Sequence, residues 1–139
     1  MKKVFLDTNV VVDLLDKREP FCEDAVQLFT LAYKKKVELF ISALTYSTAA
    51  YLLRKHGIEE VRLLLGNLRR LSEVAKIGES EVDDALSSAF EDFEDALQYY
   101  SAVSKKVDVI VTRNQKDFAN SKIPVLSPNE FLQSFSLVS

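Results

Sequence analysis

Val4-Phe5-Leu6-Asp7-Thr8-Asn9-Val10 opens the chain with three apolar residues that halt at an aspartate. Three residues are too few for a helix face and none is polar, so the run predicts a short strand buried on both sides. The same grammar returns far downstream, where Val109-Ile110-Val111 gives way to Thr112-Arg113-Asn114. Between and beyond these strands the pattern switches repeatedly to helical spacing. A helix is expected over Val10–Leu15. A second, opened by Pro20, runs to about Lys36 with Ala25, Leu28, Phe29 and Ala32 on one face. Val37–Ile41 reads as a strand, and Ser42 as the cap of a helix from Ala43 to Lys55 that stops near His56-Gly57. Further helices are expected over Ile58–Leu71 and Glu79–Ala89, with a strand over Glu73–Ile77 between them. Asp92 then starts a helix whose stripe of Phe93, Ala96, Leu97, Tyr100 and Val103 is expected to be buried. Pro124–Leu126 is a last strand, and Ser127-Pro128 starts a final helix.

Strands alternating with helices predict an α/β fold whose parallel sheet is covered on both faces. Ligand sites in such sheets lie outside the carboxyl ends of the strands. Both of the wholly apolar strands end there in side chains that coordinate or hydrogen-bond: Asp7 and Asn9 after one, Thr112 and Asn114 after the other.

The chain has 139 residues, which suits a single domain over 1–139. Hydrophobic residues make up 47% and charged residues 28%, which excludes a disordered, collagenous or disulfide-stapled chain. No apolar run reaches the ~18 residues of a membrane span, and Asp7 interrupts the N-terminal run before an export signal forms. The lone Cys22 fits a reducing compartment, so a cytoplasmic location without membrane association is expected. Net charge is −3, without the basic footprint of a duplex-DNA binder. The short basic runs Lys34–Lys36, Arg69–Arg70 and Lys105–Lys106 read as solvated helix ends. The acids are clustered: Glu79 to Asp95 holds eight of them and no Lys or Arg, leaving 13 acids against 18 bases elsewhere. Such a spot repels phosphate alone and attracts it through a divalent cation. A solvated acidic helix face is the competing explanation.

Asp7 after a buried strand is either a rim carboxylate or a helix N-cap. Asp92 and Asp95, three apart, share a helix face and also suit the first turn of a helix dipole. What capping does not explain is convergence: Asp7, Asp95 and the polar end of the Val109 strand meet if their elements adjoin, and like charges so gathered call for a cation. Oxygen donors without His or Cys select Mg²⁺ or Mn²⁺ over zinc. His56 is the only histidine, which argues against a triad or a histidine base, and Gly57, Gly66 and Gly78 are too isolated for a phosphate loop. Carboxylates holding a hard cation suit phosphodiester hydrolysis by metal-activated water. Arg113 and Lys116 stand beside that position as candidates to hold a phosphate, with ordinary loop charges as the plainer reading.

The segments Val4–Val10, Ile41-Ser42-Ala43-Leu44-Thr45, Asp92-Phe93-Glu94-Asp95-Ala96-Leu97, Val109–Phe118 and Ile123–Leu132 together resemble the PIN-domain family of metal-dependent ribonucleases, whose small members include VapC-like toxins. The resemblance spans essentially the whole chain. It implies a three-layer α/β/α fold with a mostly parallel central sheet, Mg²⁺ or Mn²⁺ as cofactor, single-stranded RNA as substrate, an antitoxin-like protein partner and a homodimer. It matches Asp7 to the family's first metal-binding aspartate and Asp95 to its third acidic position. The fourth falls on Asn114, with Asp117 just beyond as a substitute. The second, a glutamate in the family, falls on Thr48, which is neutral. The DFEDA form of the third motif looks like a subgroup in which Asp92 supplies the missing charge. Asp7, Asp92, Asp95, Asn114 and Asp117 are thus the expected catalytic set, with Asp7, Asp92 and Asp95 on the metal. Asn9, Thr48, Thr112, Arg113 and Lys116 are expected to position substrate.

Two other folds with an aspartate after the first strand fit poorly. A haloacid dehalogenase type wants a second Asp where Asn9 stands, and a receiver domain wants a Lys where Ser127-Pro128 stands. A PIN-like binding module that has lost catalysis and is held by a partner is the stronger alternative, favoured by Thr48 and Asn114.

Overall fold

The strand Val4–Leu6 sits at the centre of the molecule, every residue of it fully buried. In the computed structural model, which describes residues 1–138, it is part of β1 (Lys2–Leu6). Helices α1 (Thr8–Leu15) and α2 (Cys22–Tyr33) follow, then β2 (Val37–Ser42), α3 (Ala43–Leu52), α4 (Ile58–Arg70) and β3 (Ser72–Ala75). The second half runs α5 (Glu79–Leu86), α6 (Phe93–Ser104), β4 (Val109–Val111), β5 (Val125–Leu126) and α7 (Pro128–Val138). The five strands form one parallel sheet in the order β3-β2-β1-β4-β5. Its central register pairs Val4 with Val109, Phe5 with Ile110 and Leu6 with Val111, so Asp7 and Thr112 leave the sheet side by side.

Strand side chains alternate between two covers. Val4, Leu6, Leu39, Ile41, Val109 and Val111 pack with Val10 and Val11 of α1, Leu28 and Phe29 of α2, Leu68 of α4 and Phe131 of α7. Phe5, Phe40 and Ile110 face the other way, onto Tyr99 and Ala102 of α6 and onto Phe118. The expected α/β/α layering is therefore the observed one, and the sheet is wholly parallel.

Several boundaries differ from the sequence reading for local reasons. Pro20 lies in the turn before α2 rather than in its first turn. The helix after Ser42 ends at Leu52, because the chain tightens into a 3₁₀ turn over Arg54–His56 and then reverses at Gly57 (φ +86°), a conformation that favours glycine. β3 begins one residue earlier than expected and ends at Ala75, and α5 stops at Leu86.

The larger correction concerns α6. Its buried face is Ala96, Gln98, Tyr99, Ser101 and Ala102, while Phe93 and Val103 of the expected stripe are 45% and 41% exposed. The helix is rotated so that Tyr99 and Ala102 meet Phe5 and Phe40, and the two polar residues beside them turn toward the strand ends. Ser101 donates to the Lys76 carbonyl at 3.0 Å. Gln98 reaches the site.

Candidate active site

Asp7 caps α1, as its alternative reading expected, and is also the hub of the strand-end cluster. Its carboxylate is 8% exposed and accepts four hydrogen bonds. Oδ1 takes them from the Thr8 amide (2.8 Å) and Gln98 Nε2 (3.2 Å); Oδ2 takes them from Thr112 Oγ1 (2.8 Å) and Asn9 Nδ2 (3.3 Å). The Thr112 hydroxyl is spent completely, since it also accepts from Asn9 Nδ2 (3.2 Å) and the Asn114 amide (3.1 Å). Asn9 Oδ1 in turn accepts from the Arg113 amide (3.3 Å). These bonds stitch the ends of β1 and β4 together and fix the orientation of Asp7.

Gln98, which the sequence reading passed over, is 2% exposed and lies beneath the cluster. Its amide donates to Asp7 and is also within reach of the Thr8 and Thr45 hydroxyls, at 3.2 and 3.1 Å. Its carbonyl accepts from Ser42 Oγ, whose oxygen caps α3 through the Thr45 amide. One side chain thus ties together the first turns of α1, α3 and α6. The signal in the sequence was a Gln three residues after Asp95, on the buried face of α6 once that face is placed correctly.

Asp7, Asn9, Thr48, Asp95, Asn114 and Asp117 line one cleft of about 260 Å³ at the carboxyl ends of the strands. The expected convergence of Asp7, Asp95 and the end of the Val109 strand is what the topology delivers. Glu94, not singled out before, lines the cleft too, as does Arg18. The Asp95 carboxyl is pushed up to about 7, first by burial and then by the negative charges of Asp92, Asp7, Asp117 and Glu94. Burial leads and the neighbouring negative charges add to it, and a cation in the cleft would favour the ionised form against both.

Three expected residues stand elsewhere. Asp92 Oδ1 accepts the Asp95 amide (3.0 Å) as the cap of α6, and Asp92 lines an adjoining hollow with Lys116 instead of the cleft. That hollow shares Asp95 and Asp117 with the cleft, and the Asp92 charge helps to raise the Asp95 carboxyl. Lys116 faces the same hollow, next to Asp117. Arg113 points away from the cleft altogether. Its guanidinium clasps the buried Asp13 carboxylate at 2.6 and 3.1 Å and lies over the Phe21 ring at 3.9 Å, so it is not free to hold a phosphate in the cleft.

The donors facing the cleft are oxygens: carboxylates, the Asn114 amide and the Thr48 hydroxyl. Among the described residues no three Asp, Glu, His or Cys side chains form a ready-made metal cage. His56 is at another edge, 3.3 Å from Asp16. Asp7 and Asp95, with water and a substrate phosphate completing the shell, fit a hard cation such as Mg²⁺, which keeps several waters and needs one or two carboxylates. Among the described residues no helix is long and apolar enough to cross a membrane.

The family model described as PIN domain matches residues 3–116. Ribonuclease VapC1 of Aquifex aeolicus (strain VF5) is 29% identical over 140 residues, an alignment that covers 97% of this chain and 96% of that protein. Among solved structures, a toxin–antitoxin complex from Klebsiella pneumoniae superposes with a TM-score of 0.67 at 22% identity, covering 90% of this chain and 97% of that one. VapBC2 from Rickettsia felis, bound to a DNA fragment from its promoter, gives 0.66 at 19% identity with the same coverage. With strand ends, cleft and family match in agreement, the chain belongs to the PIN domain family.

Proposed function

We propose that this protein is a divalent-metal-dependent endoribonuclease that cleaves single-stranded RNA and serves as the toxin of a toxin–antitoxin pair. The observation that carries the reading is the cleft shared by Asp7 and Asp95 at the ends of β1 and α6's first turn, in a PIN-family chain. The relative named a ribonuclease supports the activity, and the VapBC complexes support an antitoxin-like partner. Mg²⁺ or Mn²⁺ held by Asp7 and Asp95 would supply an activated water and neutralise charge on the phosphate. The protein's own part is positional. Thr112, Asn9 and Gln98 hold Asp7 rigid, Asp117 and Asn114 face the cleft to hold water or a phosphate oxygen, and Glu94 adds charge at its rim. We place the protein in the cytoplasm as a homodimer of one-domain subunits.

Thr48 lines the cleft where the family glutamate stands, so it lowers the number of carboxylates without blocking the site. Cleavage of unstructured RNA with Mg²⁺ or Mn²⁺, abolished by Asp7→Asn, tests the reading. Thr48→Glu should lower the metal concentration needed for half-maximal rate. If the native chain is inert on a panel of RNAs with either metal and Thr48→Glu restores nothing, the nuclease reading falls. The binding-module alternative, in which Thr48 marks a retired site, then stands.

A further inference from the structure

A second cavity, of about 370 Å³, opens on the far side of Arg113 and is lined by Phe21, Asp24, Arg113, Ser127, Pro128 and Asn129. Neither the metal chemistry nor the cleft uses it. One wall of it is an ion-paired arginine. The Arg113 guanidinium is held bidentate by Asp13, whose carboxylate is buried and also lies 4.0 Å from Arg18. Arg18 lines the cleft and Arg113 the second cavity, so one buried carboxylate anchors the partition between them. Phe21, stacked on Arg113, is nevertheless 39% exposed, an apolar ring left open beside a planar cation.

From these features we infer that the cavity between Phe21, Arg113 and Asp24 is a base-binding subsite that takes an unpaired guanine of the RNA strand whose phosphate lies in the neighbouring cleft. The inference rests on the ribonuclease reading and adds to it a place where sequence is read. Flat aromatic and guanidinium surfaces stack any nucleobase, which is how single strands are gripped without pairing. Because Asp13 already neutralises Arg113, the wall offers a base a stacking surface more than it offers a phosphate a charge. Asp24, half-buried at the start of α2, supplies the choice of base: its carboxylate has no hydrogen-bond partner among the described residues and only accepts. Guanine presents two adjacent N–H donors on its pairing edge, N1–H and the N2 amino group, which a carboxylate takes as a pair. Adenine, cytosine and uracil each present an acceptor at one of those positions. Arg113 and Asn114 are consecutive, with Cα atoms about 3.8 Å apart, and they face the cavity and the cleft respectively. A nucleotide bound in the cleft therefore has its neighbour within reach of the cavity.

Short single-stranded RNAs test this, each with one scanned position carrying guanine, adenine, 2-aminopurine or an abasic residue. The chain has no Trp, so 2-aminopurine emission is read cleanly. The full-length protein should quench 2-aminopurine at one position adjoining the cleaved bond and cleave the guanine strand at lowest KM. Phe21→Ala should remove the quenching and raise KM by about 5- to 150-fold, the usual worth of one base–aromatic stack, while leaving the abasic strand's KM as in native protein. Asp24→Asn should keep the quenching and lose the guanine preference by about tenfold. Position-specific quenching by a protein that cleaves no RNA would keep the subsite and overturn the nuclease reading. Cleavage with no quenching at any position, or with equal KM for guanine and abasic strands, would overturn the subsite and leave the nuclease reading intact. Loss of activity on guanine and abasic strands alike in Phe21→Ala would assign Phe21 to the fold and overturn it too.

Discussion

Asp7→Asn and Asp95→Asn each delete one negative charge from the same cleft, and charge repulsion alone predicts that both stabilise the metal-free protein. The structure predicts opposite signs. Asp7 accepts four donors, two on each oxygen. An asparagine keeps one acceptor and turns its NH₂ toward the other two donors, leaving buried groups unsatisfied at about 1–3 kcal/mol. Relief of repulsion offsets part of this, so a net loss of about 1–2 kcal/mol is expected. The Asp95 carboxylate accepts no hydrogen bond among the described residues, and its pKa is raised from 3.8 to about 7, with burial the leading cause. Between those values the folded state binds more protons than the unfolded, so this group's contribution to stability falls as pH rises through 7. About 3 pH units correspond to ~4 kcal/mol, and solvent access to a half-exposed group reduces that to about 1–2 kcal/mol. Asp95→Asn should therefore gain that amount at pH 8.5 and nothing at pH 4, whereas the Asp7→Asn loss appears at pH 8.5 despite the repulsion it relieves. Urea denaturation in EDTA across pH 4–8.5 measures both. Shifts of the same sign at pH 8.5, or an Asp95→Asn gain that does not depend on pH, would refute the reasoning.

Millimolar Mg²⁺ or Mn²⁺ should raise the melting temperature of the native protein, by the equivalent of about 2.7 kcal/mol at a hundredfold excess over Kd. The Asp7→Asn, Asp95→Asn double variant should show no such rise by calorimetry. Gln98→Met should lose about 1–3 kcal/mol, because it leaves the buried Ser42 hydroxyl only the longer 3.4 Å contact to Thr45 Oγ1 as an acceptor and removes a donor from Asp7. The metal-dependent melting shift should shrink with it, and an unchanged shift would remove Gln98 from the support of Asp7. Arg113→Ala should destabilise by about 3–5 kcal/mol, read by urea denaturation, since it leaves the buried Asp13 with only the distant Arg18. An additional Asp13→Ala should recover much of that loss.

The sequence determined the architecture, because hydrophobic period is a local property. Uninterrupted apolar triplets at Val4 and Val109 left no solvent face for a sheet edge, and the helical stripes between them left parallel crossovers as the only connection. The same locality placed Asp7, Asn9, Thr112 and Asn114 at strand ends, where α/β sheets carry their sites. What the sequence left undecided were rotations and partners. A helix's buried face is set by what it packs on, so the rotation of α6 that buries Gln98 and exposes Phe93 depended on Phe5 and Phe40, far away in the chain. Charge partners are likewise non-local. By sequence Arg113 is a candidate phosphate ligand or a loop charge, and the fold commits it instead to Asp13, 100 residues distant, at 2.6 Å. Asp92 is a candidate metal ligand by residue type, and the fold gives one of its oxygens to the cap of α6 and sets it in the hollow beside the cleft. Residue type tells which chemistry a side chain can perform; only the folded geometry decides which of its possible partners reaches it first.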